Sequence, residues 1–438
     1  MGKIFEIRDP IHGFVKLNEW ERDIINHPVF QRLRRIRQLG LTDMVYPGSM
    51  HTRFEHSLGV MHVATRMFDH IRERRIDFLK SELNFNEDGL GRDLVLMRLS
   101  CLLHDVGHAP FSHAAEGLMD KDIRSGKLYK HEHYSAAAVY FLMQDVIENH
   151  PLNQNYHIKA KDIADFLNGD SSVGRSLLWR NLVSGQLDAD RADYLLRDSH
   201  HIGVAYGHYD LSRLIETLTV AIDPDTTSAV IAVEEGGEHA AEALIIARYM
   251  MFTKVYFQHT SRAYDYHSVE AIKYLLTKHQ SQTSIVNKSA FPPPTSKENV
   301  EEYLKWDDWR VLGQIREDRA DVNGTIMMER KHHRAVFETP EIPSADDQEF
   351  AKEIQDALSA NIGFVDCASS SWYKFEAADI PLLLQPGHRD EQLTTLSTRS
   401  SVVKGLKAVE RTRIYVPIDK KLESREIVAK KRKEREEN

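Results

Sequence analysis

Apolar side chains recur at three- and four-residue spacing through much of the chain between Phe54 and Gln280, and this periodicity limits the fold more than any other feature. The clearest stripe is Phe54, Leu58, Met61, Ala64 or Thr65, and Phe68. Further helices are predicted at about 94–103, 131–147, 160–168, 187–200 and 239–280. The chain is therefore predicted to be mainly α, with a helical core.

Short strands and a basic helix are predicted beside this core. The segment IFEIRDPIHGFVKL reads as two strands around a turn, and LTVAI and AVIAV form a second hairpin around Asp223-Pro224-Asp225. Asn18 and Glu21 form a capping box. A helix after Pro28 is predicted to run to Leu39, with a basic opposite face that is either solvated or a nucleotide site. That face comprises Arg32, Arg34, Arg35 and Arg37.

The run FPPPTSKEN, from Phe291 to Asn299, marks the clearest boundary, because three prolines cannot continue a helix. Beyond it we predict a smaller mixed α/β lobe containing a helical segment at 301–316, a strand at RIYVPI and a charged helical tail. The predicted units are 1–50, an N-terminal hairpin with basic helices; 51–290, the helical core; 291–417, the C-terminal lobe; and 418–438, the tail.

Composition excludes several classes of protein. The formal net charge of −9 argues against nucleic-acid binding as the main role, since such binding depends on neutralising phosphates. The chain has no apolar run long enough to cross a membrane and begins without a secretory signal. With Cys101 and Cys367 as its only cysteines, it is expected to reside in a reducing cytoplasm.

The doublet His104-Asp105 follows an apolar helix and offers a nitrogen and an oxygen donor, a mixture that suits a first-row divalent metal. Further donors are His56 on the preceding helix and Asp190 far downstream. Asp190 begins a helix face of polar side chains at spacings of three and four. That face contains Asp190, Asp193, Tyr194, Arg197, Asp198 and His201. Each residue alone would more often be structural, so the prediction depends on their occurrence together.

The order His56, His104-Asp105, Asp190 resembles the HD-domain superfamily of metal-dependent phosphohydrolases. More narrowly, the chain resembles the deoxynucleoside triphosphate (dNTP) triphosphohydrolases related to the sterile-alpha-motif-and-HD-domain protein. It looks like their shorter bacterial-type relatives, without the sterile alpha motif. The resemblance covers about residues 3–275 and is weaker beyond. It rests on DPIHG, FQRLRRIRQLG, RFEHSLGV, HDVGHAPFSH, HEHYS and DADRADYLLRDSHHIG.

This resemblance implies that one divalent metal is held by His56, His104, Asp105 and Asp190, without distinguishing manganese, magnesium, iron, nickel and cobalt. It implies that His131, paired with Glu116, protonates the leaving 5′-oxygen, although many relatives have aspartate at the position of Glu116. His108 would contact phosphate, and His113 would lie beside the attacking water.

The resemblance also implies a set of substrate contacts. Arg53, Arg191 and Lys254 would bind phosphates, and the remaining contacts would read a deoxyribose. These sugar contacts are Gln38, Leu39, Tyr194 and Asp198. Leu39 could equally be a core residue. The segment around Tyr256 and Arg262 is expected to wall the pocket, in a register that stays open by two residues.

In relatives, the basic segment binds an activating nucleotide between subunits. The corresponding candidates are Lys3, Asn26, Gln31 and Arg34. Asn26 stands where guanine-activated relatives carry aspartate, so activation by guanine nucleotides does not follow. A homo-oligomer, dimer or tetramer, is implied.

Three functions remain open from the sequence. The first is hydrolysis of dNTPs to deoxynucleoside and triphosphate, which would control the dNTP pool. The second is another HD reaction, as in a nucleotide phosphatase, a phosphodiesterase or a nuclease. The third is a nucleotide-sensing scaffold with a vestigial metal site. Gln38, Leu39 and Tyr194 favour the first, because the other HD enzymes would not require a deoxyribose site.

Overall fold

A computed structural model describes residues 3–280, 289–318, 321–370, 379–387 and 391–437, without the side chains of 368–370. It confirms a mainly α fold with a helical core and small sheets. The strands are Phe5–Asp9 (β1), Gly13–Leu17 (β2), Leu218–Ile222 (β3), Ala229–Glu234 (β4), Arg334–Glu338 (β5), Phe364–Ser370 (β6), Pro381–Leu384 (β7), Gln392–Thr395 (β8) and Val409–Val416 (β9).

Helices α1 to α10 belong to the first half of the chain. They are Glu19–Asn26 (α1), Pro28–Gln31 (α2), Arg53–Ser81 (α3), Glu87–Leu103 (α4), His131–Leu142 (α5), Gln144–Glu148 (α6), Ala160–Asn168 (α7), Leu177–Arg180 (α8), Ala189–Ile202 (α9) and Leu211–Glu216 (α10). The later ones are Glu238–Met251 (α11), His259–Gln280 (α12), Lys297–Leu304 (α13), Asp308–Glu317 (α14), Val322–Met328 (α15), Ala345–Ala357 (α16), Leu396–Arg399 (α17), Ser401–Gly405 (α18) and Lys421–Glu437 (α19).

The N-terminal hairpin and the capping box are confirmed. β1 and β2 pair antiparallel, with Phe5 opposite Leu17. The Asn18 side chain accepts from the amide of Glu21, and the Glu21 carboxylate accepts from the amide of Asn18. The backbone amides of Asn18 and Glu21, which have no partner within the helix, are therefore both hydrogen-bonded.

The helix predicted to reach Leu39 is wrong in its length. The α-helix ends at Gln31, a 3-10 turn covers Arg32–Arg35, and Ile36 is extended. Arg32 is buried rather than solvated, and its guanidinium donates to the carbonyls of Trp306 and His108 at 2.5 and 2.8 Å. These contacts with distant residues end the helix early. The helical spacing of apolar residues could not reveal such contacts, because it reflects only local sequence.

Helices α3, α4 and α9 form the centre of the core. The apolar stripe of α3 is buried as predicted, at Phe54, Leu58, Met61, Ala64 and Phe68. α3 and α9 approach closely at Gly59, where a Cβ atom would lie 1.9 Å from the Asp193 carboxylate. The same helix–helix contact therefore brings polar side chains of α9 against α3.

The segment after α4 turns sharply before a 3-10 stretch at Ser112–Leu118. Phe111 and Ser112 both have positive φ values, 57° and 60°. The helix predicted at 131–147 is interrupted, because α5 ends at Leu142 and α6 begins at Gln144. Met143 lies between them and is fully buried, so core packing holds the break.

Besides the N-terminal hairpin, two further small sheets accompany the helices in the described part of the chain. The predicted hairpin of β3 and β4 is confirmed, and β4 also pairs parallel with β7 in a sheet of order β3-β4-β7-β8. The predicted RIYVPI strand is confirmed for residues 413–416, which end β9, the middle strand of the sheet β5-β9-β6; Pro417 and Ile418 lie beyond the strand. The charged tail is helical as α19, with Ser424 and Val428 buried.

Side chains from residues 291–327 pack against the loop that follows the His-Asp doublet. Phe291, Tyr303 and Trp306 share one hydrophobic cluster with Phe111 and Tyr134. The hydroxyl of Tyr303 donates to the carbonyl of Gly107 at 2.6 Å. Among the described helices, none is long and apolar enough to cross a membrane.

Candidate metal-dependent active site

Three core helices bring the four predicted metal ligands together. His56 lies in the first turns of α3, His104 and Asp105 follow α4 directly, and Asp190 lies in the first turn of α9. Asp190 Oδ1 is 2.9 Å from His56 Nε2 and 3.9 Å from His104 Nε2. The Asp105 carboxylate oxygens lie 3.2 Å from His104 Nε2 and 3.7 Å from His56 Nε2.

Both imidazoles are oriented by their other nitrogen. His56 Nδ1 donates to Asp193 Oδ2 at 2.8 Å, and His104 Nδ1 donates to the carbonyl of Cys101 at 2.7 Å. These bonds turn both Nε2 atoms toward the candidate carboxylates: His56 Nε2 is hydrogen-bonded to Asp190 Oδ1 at 2.9 Å, and His104 Nε2 is buried without a hydrogen-bond partner. Such an arrangement is typical of metal-binding histidines, so the residues fit a divalent cation.

The carboxylates among the four candidate ligands favour positive charge between them. Burial alone would lower the pKa of His56, but hydrogen bonds to Asp190 and Asp193 outweigh it and raise the pKa to about 10. Burial opposes ionisation of Asp190, yet the contacts with His56 lower its pKa to about 2. Burial alone would raise the pKa of Asp105, but Arg53, His104 and His108 together hold it well below its usual value. Both carboxylates are therefore ionised at neutral pH.

A second group of titratable side chains lies next to the first. The rings of His108 and His131 stack with centroids 3.8 Å apart, and His113 contacts both edge-on. Glu116 Oε1 accepts a very short hydrogen bond from His131 Nδ1 and a bond of 3.1 Å from His113 Nδ1. The structure thus brings His108, His113, Glu116 and His131 into one cluster.

The Glu116–His131 pair is polarised. Burial alone would lower the pKa of His131, but the hydrogen bond and charge of Glu116 raise it above its ordinary value. Burial alone would raise the pKa of Glu116, and the charges and hydrogen bonds of His113 and His131 lower it far below the usual range. His131 therefore holds a proton more firmly than a free imidazole.

The candidate sugar contacts differ in burial and in their partners. Asp198 is buried on α9 and accepts from His51 Nε2 and from the Tyr256 hydroxyl, each at 2.7 Å. The Tyr194 ring lies between those of His56 and Tyr256, at 6.5 and 6.2 Å. Gln38 is buried with an unpaired side-chain oxygen, whereas Leu39 is half-buried rather than a core residue.

The candidate phosphate contacts are unequally placed. Arg53 is buried and donates to Asp105 Oδ2 at 2.6 Å and to Ser112 Oγ at 2.8 Å. Arg191 is half-buried and paired with Asp188. Lys254 is exposed, and within the described residues no recorded contact joins its ammonium group to the other candidate residues.

Several side chains around the site were not predicted as site residues. Asp193 orients His56, and it also accepts from His12 Nε2 at 2.6 Å. The sequence signal was present, because Asp193 follows Asp190 by three residues and His12 lies in DPIHG. The pKa of Arg248 is lowered, first by burial and then by the nearby charge of Arg191.

Three of the four candidate activator residues are exposed, and the fourth, Gln31, is half-buried. Gln31 accepts from Arg34 Nε at 2.9 Å, and the Arg34 guanidinium lies 3.5 Å from the centroid of the Phe54 ring. Lys3 is exposed and lies over the ring of Phe5. Asn26 is exposed at the end of α1. Gln31 and Arg34 thus form a contact pair, and each of the other two lies elsewhere on the N-terminal segment.

The fold and the donor set define a metal-dependent phosphohydrolase of the HD class. Residues 53–198 match the family model of the HD domain, and residues 209–290 match that of the HD-associated region. The chain belongs to the HD-domain family, which agrees with the sequence-based prediction.

Relatives are found in bacteria, archaea and eukaryotes. The chain is 30% identical to the protein YwfO of Bacillus subtilis, over 95% of this chain and 94% of that protein. It is 33% identical to the deoxynucleoside triphosphate triphosphohydrolase SAMHD1 homolog of Dictyostelium discoideum, over 50% of this chain and 40% of that protein. The corresponding chicken SAMHD1 is 34% identical, over 49% and 36%. The chain therefore spans less than half the length of these named enzymes.

Two solved structures share the fold. A hypothetical protein from Aquifex aeolicus superimposes with a TM-score of 0.76 at 27% identity, covering 97% of this chain and all of that one. A phosphohydrolase from Bacteroides thetaiotaomicron gives a TM-score of 0.70 at 23% identity, covering 94% and 100%. The second likeness concerns the fold alone.

Proposed function

We propose that this protein hydrolyses deoxynucleoside triphosphates to deoxynucleoside and inorganic triphosphate. The observation that carries the proposal is the convergence of His56, His104 and Asp190 next to the His131–Glu116 pair. Two of its relatives are named as deoxynucleoside triphosphate triphosphohydrolases, which supports the choice of substrate.

His56, His104, Asp105 and Asp190 would hold the cation. A divalent ion bound there would polarise a phosphoryl oxygen and lower the pKa of a water molecule. Asp193 and the Cys101 carbonyl would keep the two imidazoles in the tautomer that presents Nε2. Manganese, magnesium, iron, nickel and cobalt are all compatible with two imidazoles and two carboxylates.

His131 would supply the proton for the leaving 5′-oxygen. Its Nδ1 is engaged by Glu116, so the proton to be transferred is the one on Nε2. The ionised Glu116 stabilises the imidazolium before transfer and fixes its orientation. His113 would lie beside the attacking water, and His108 and Arg53 would contact the phosphates. Arg191 and Lys254 are further phosphate contacts of this proposal.

A deoxyribose would be read by side chains that the structure already holds in place. Asp198 is fixed by His51 and Tyr256, and it would accept a hydrogen bond from the 3′-hydroxyl. Tyr194 would crowd the 2′ position, beside Gln38 and Leu39. A ribose would then be rejected sterically, so ribonucleoside triphosphates should be poor substrates.

Activation and assembly are further parts of the proposal. A second nucleotide would bind at Lys3, Asn26, Gln31 and Arg34 between subunits of a dimer or tetramer, and control of the dNTP pool would take place in the cytoplasm. The exposure of Lys3, Asn26 and Arg34 supports a role for this surface in binding.

Product analysis tests the proposal. Purified protein is incubated with each dNTP and with ATP, with each candidate metal in turn and with or without a second nucleotide, and products are separated by ion-exchange chromatography. We expect deoxynucleoside and triphosphate from dNTPs. Release of orthophosphate or pyrophosphate instead, or equal turnover of ATP, would contradict the proposal.

A matched pair of variants links the reaction to the site. His131→Gln should lower kcat by about 10²–10⁴, the usual contribution of general acid catalysis. His133→Gln is the control, because His133 lies two residues away on α5 and contacts the Lys130 amide and the Tyr129 ring rather than the Glu116–His131 pair. Equal activity of the two variants would remove His131 from the reaction.

A further inference from the structure

A small cavity lies beside the candidate metal ligands, where α5 and α9 begin and α7 ends. Its volume is about 60 Å³, and two of the four candidate ligands, His104 and Asp190, form part of its wall. Among the described residues, none of the candidate sugar or phosphate contacts lines it. A whole small-molecule ligand needs roughly 300 Å³ or more, whereas a water molecule needs only about 10–15 Å³. The cavity is therefore sized for small hydrated species and not for a nucleotide.

The four candidate ligands are exposed to solvent unequally. The side chains of His56 and Asp105 are 0% and 3% exposed, whereas those of His104 and Asp190 are 11% and 36% exposed. The more exposed pair is the pair that lines the cavity. This pair includes His104 Nε2, which has no hydrogen-bond partner in the described part of the chain. The ligand set is therefore most open where it borders the cavity.

The wall of the cavity combines a further carboxylate with apolar side chains. Glu132 lines it, and Glu132 Oε2 is buried without a hydrogen-bond partner among the described residues. The closest contact recorded for this oxygen is His131 Nδ1, at 3.5 Å. The apolar part of the wall consists of the buried side chains Phe166, Leu167 and Val183. A buried carboxylate oxygen without a donor is unfavourable, and a cation or its bound water would satisfy it.

Arg180 also lines the cavity, and its guanidinium is bound to the backbone. It donates to the carbonyls of Phe166 and Leu167 at 2.9 and 3.0 Å, at the end of α7. Burial lowers the pKa of Arg180, and the charge of Glu132 acts in the opposite direction. The wall thus carries two carboxylates, those of Glu132 and Asp190, against one guanidinium that the α7 carbonyls already hold.

We propose that this cavity is the route by which the divalent cation enters and leaves the metal site, and that Glu132 binds the cation first. The inference rests on the metal site of the proposed function and adds an entrance separate from the sugar and phosphate contacts. The species admitted is a divalent cation that carries part of its water shell. Carboxylate oxygens and water are ligands that manganese and magnesium accept, so the cation would pass from Glu132 to Asp190 and His104.

Manganese exchange in the full chain tests the route. Protein loaded with ⁵⁴Mn²⁺ is mixed with excess EDTA and the remaining bound ion is counted by rapid filtration; association is followed in the same way. Ser184→Trp obstructs the cavity, because Ser184 is exposed and lines it. Association and release should both slow by about tenfold or more, since the wall must then open before the ion passes. The dissociation constant should stay within about twofold of wild type, since an obstructed path slows both directions alike.

Asn181→Trp is the matched control, because Asn181 is exposed on the same segment and does not line the cavity. Glu132→Gln is a second test, which should slow association by about 3–10-fold because a charge that attracts the cation is lost. Glu73→Gln is its control, since Glu73 is exposed on α3 and lies outside the cavity wall.

The proposal is overturned if Ser184→Trp exchanges manganese like wild type, if Asn181→Trp slows exchange as much, or if Glu132→Gln leaves association unchanged. Wild-type protein that binds no manganese would remove the metal site and this route together. Normal manganese binding with unchanged exchange in the variants would remove the route alone. Nucleotide hydrolysis is assayed separately, so the two proposals fail distinguishably.

Discussion

Asp193 lies behind the candidate metal ligands and is completely buried. The Asp193 carboxylate accepts hydrogen bonds from His56 at 2.8 Å, from His12 at 2.6 Å and from Arg197 at 2.8 Å. Burial alone would raise the pKa of Asp193, but the Arg197 charge and these hydrogen bonds hold it well below the usual value. Asp193 is therefore ionised and acts as a positioning residue for His56.

Asp193→Asn should weaken divalent-metal affinity by about 10–100-fold, the usual cost of losing the partner of a metal-bound histidine. The amide has one accepting oxygen for three donors, so the His56 ring loses its fixed orientation. Metal titration of folded protein checks this result. His12→Gln is the control, since it keeps the Asp193–His56 bond, and similar metal affinity in both variants would contradict the role of Asp193.

Loss of the proton from His131 is expected to determine the alkaline limb of the pH–rate profile. The pKa of His131 is raised in the folded protein, so the protonated form is present below that pKa and is lost as pH rises through it. Glu116→Gln removes the acceptor charge that raises the pKa. The alkaline limb of kcat should therefore move to lower pH in Glu116→Gln, and an unchanged limb would show that another group controls it.

At the scale of elements, the contact between α3 and α9 sets the geometry of the site. A Cβ at Gly59 would lie 1.9 Å from the Asp193 carboxylate and 2.4 Å from the Arg197 guanidinium. Those groups are buried and cannot move away without breaking their ion pair, which is formed at 2.8 Å. A larger residue at position 59 would separate the helix of His56 from the helix of Asp190.

Gly59→Ala should therefore lower the free energy of unfolding by about 1–3 kcal/mol, as overpacking of a core does. Gly91→Ala is the control, because Gly91 lies in α4 with no atom within 4 Å of an added Cβ. That change should be neutral or stabilise the protein by up to about 1 kcal/mol. Urea denaturation measures both, and equal stability of the two variants would show that the helices adjust freely.

Local sequence predicted the elements whose periodicity agrees with their packing. The α3 stripe, the capping box of Asn18 and Glu21, and the β3–β4 hairpin follow from spacing and turn residues. The helix predicted to reach Leu39 ends early, because Arg32 and Ile36 form hydrogen bonds with residues distant in the chain. The Arg32 guanidinium donates to the Trp306 carbonyl, and the Ile36 carbonyl accepts from the Arg53 amide. The pairing of β4 with β7 was also hidden, since it joins residues far apart in the chain.

At the scale of the whole molecule, Asp308 on α14 ties the later part of the chain to the site. Its two carboxylate oxygens accept from the backbone amides of Phe111 and Arg37, at 2.8 and 2.9 Å. One of these amides belongs to the loop after His108 and the other directly precedes Gln38. Asp308 is fully buried, so it holds two segments of the candidate site from outside the HD match.

Asp308→Ala should lower the free energy of unfolding by about 2–6 kcal/mol, because two buried amides lose their acceptor at about 1–3 kcal/mol each. Asp308→Asn keeps one acceptor and should lose less. Trp309→Ala is the control for the helix, since Trp309 is exposed. Thermal denaturation ranks the variants, and a Trp309 variant as unstable as Asp308→Ala would contradict this role.

The residues expected to hold the metal were predictable because their identities and order carry the chemistry. Sequence could not show that Asp193 and the Cys101 carbonyl orient the imidazoles, because those contacts depend on the angle between helices. It also left the register near Tyr256 open; in the structure the Tyr256 hydroxyl donates to Asp198 at 2.7 Å. Lys254, chosen by resemblance, is exposed and keeps the weakest geometric support among the candidate phosphate contacts.

Metal stoichiometry and affinity test the central claim most directly. Apo protein is titrated with manganese and bound ion is counted by mass spectrometry, for wild type, His56→Gln, His104→Gln and Asp190→Asn. We expect a single tightly bound ion per chain, with affinity lowered by about 100-fold or more in each variant. Wild-type affinity in folded His104→Gln or Asp190→Asn protein would contradict a metal centre built by these residues.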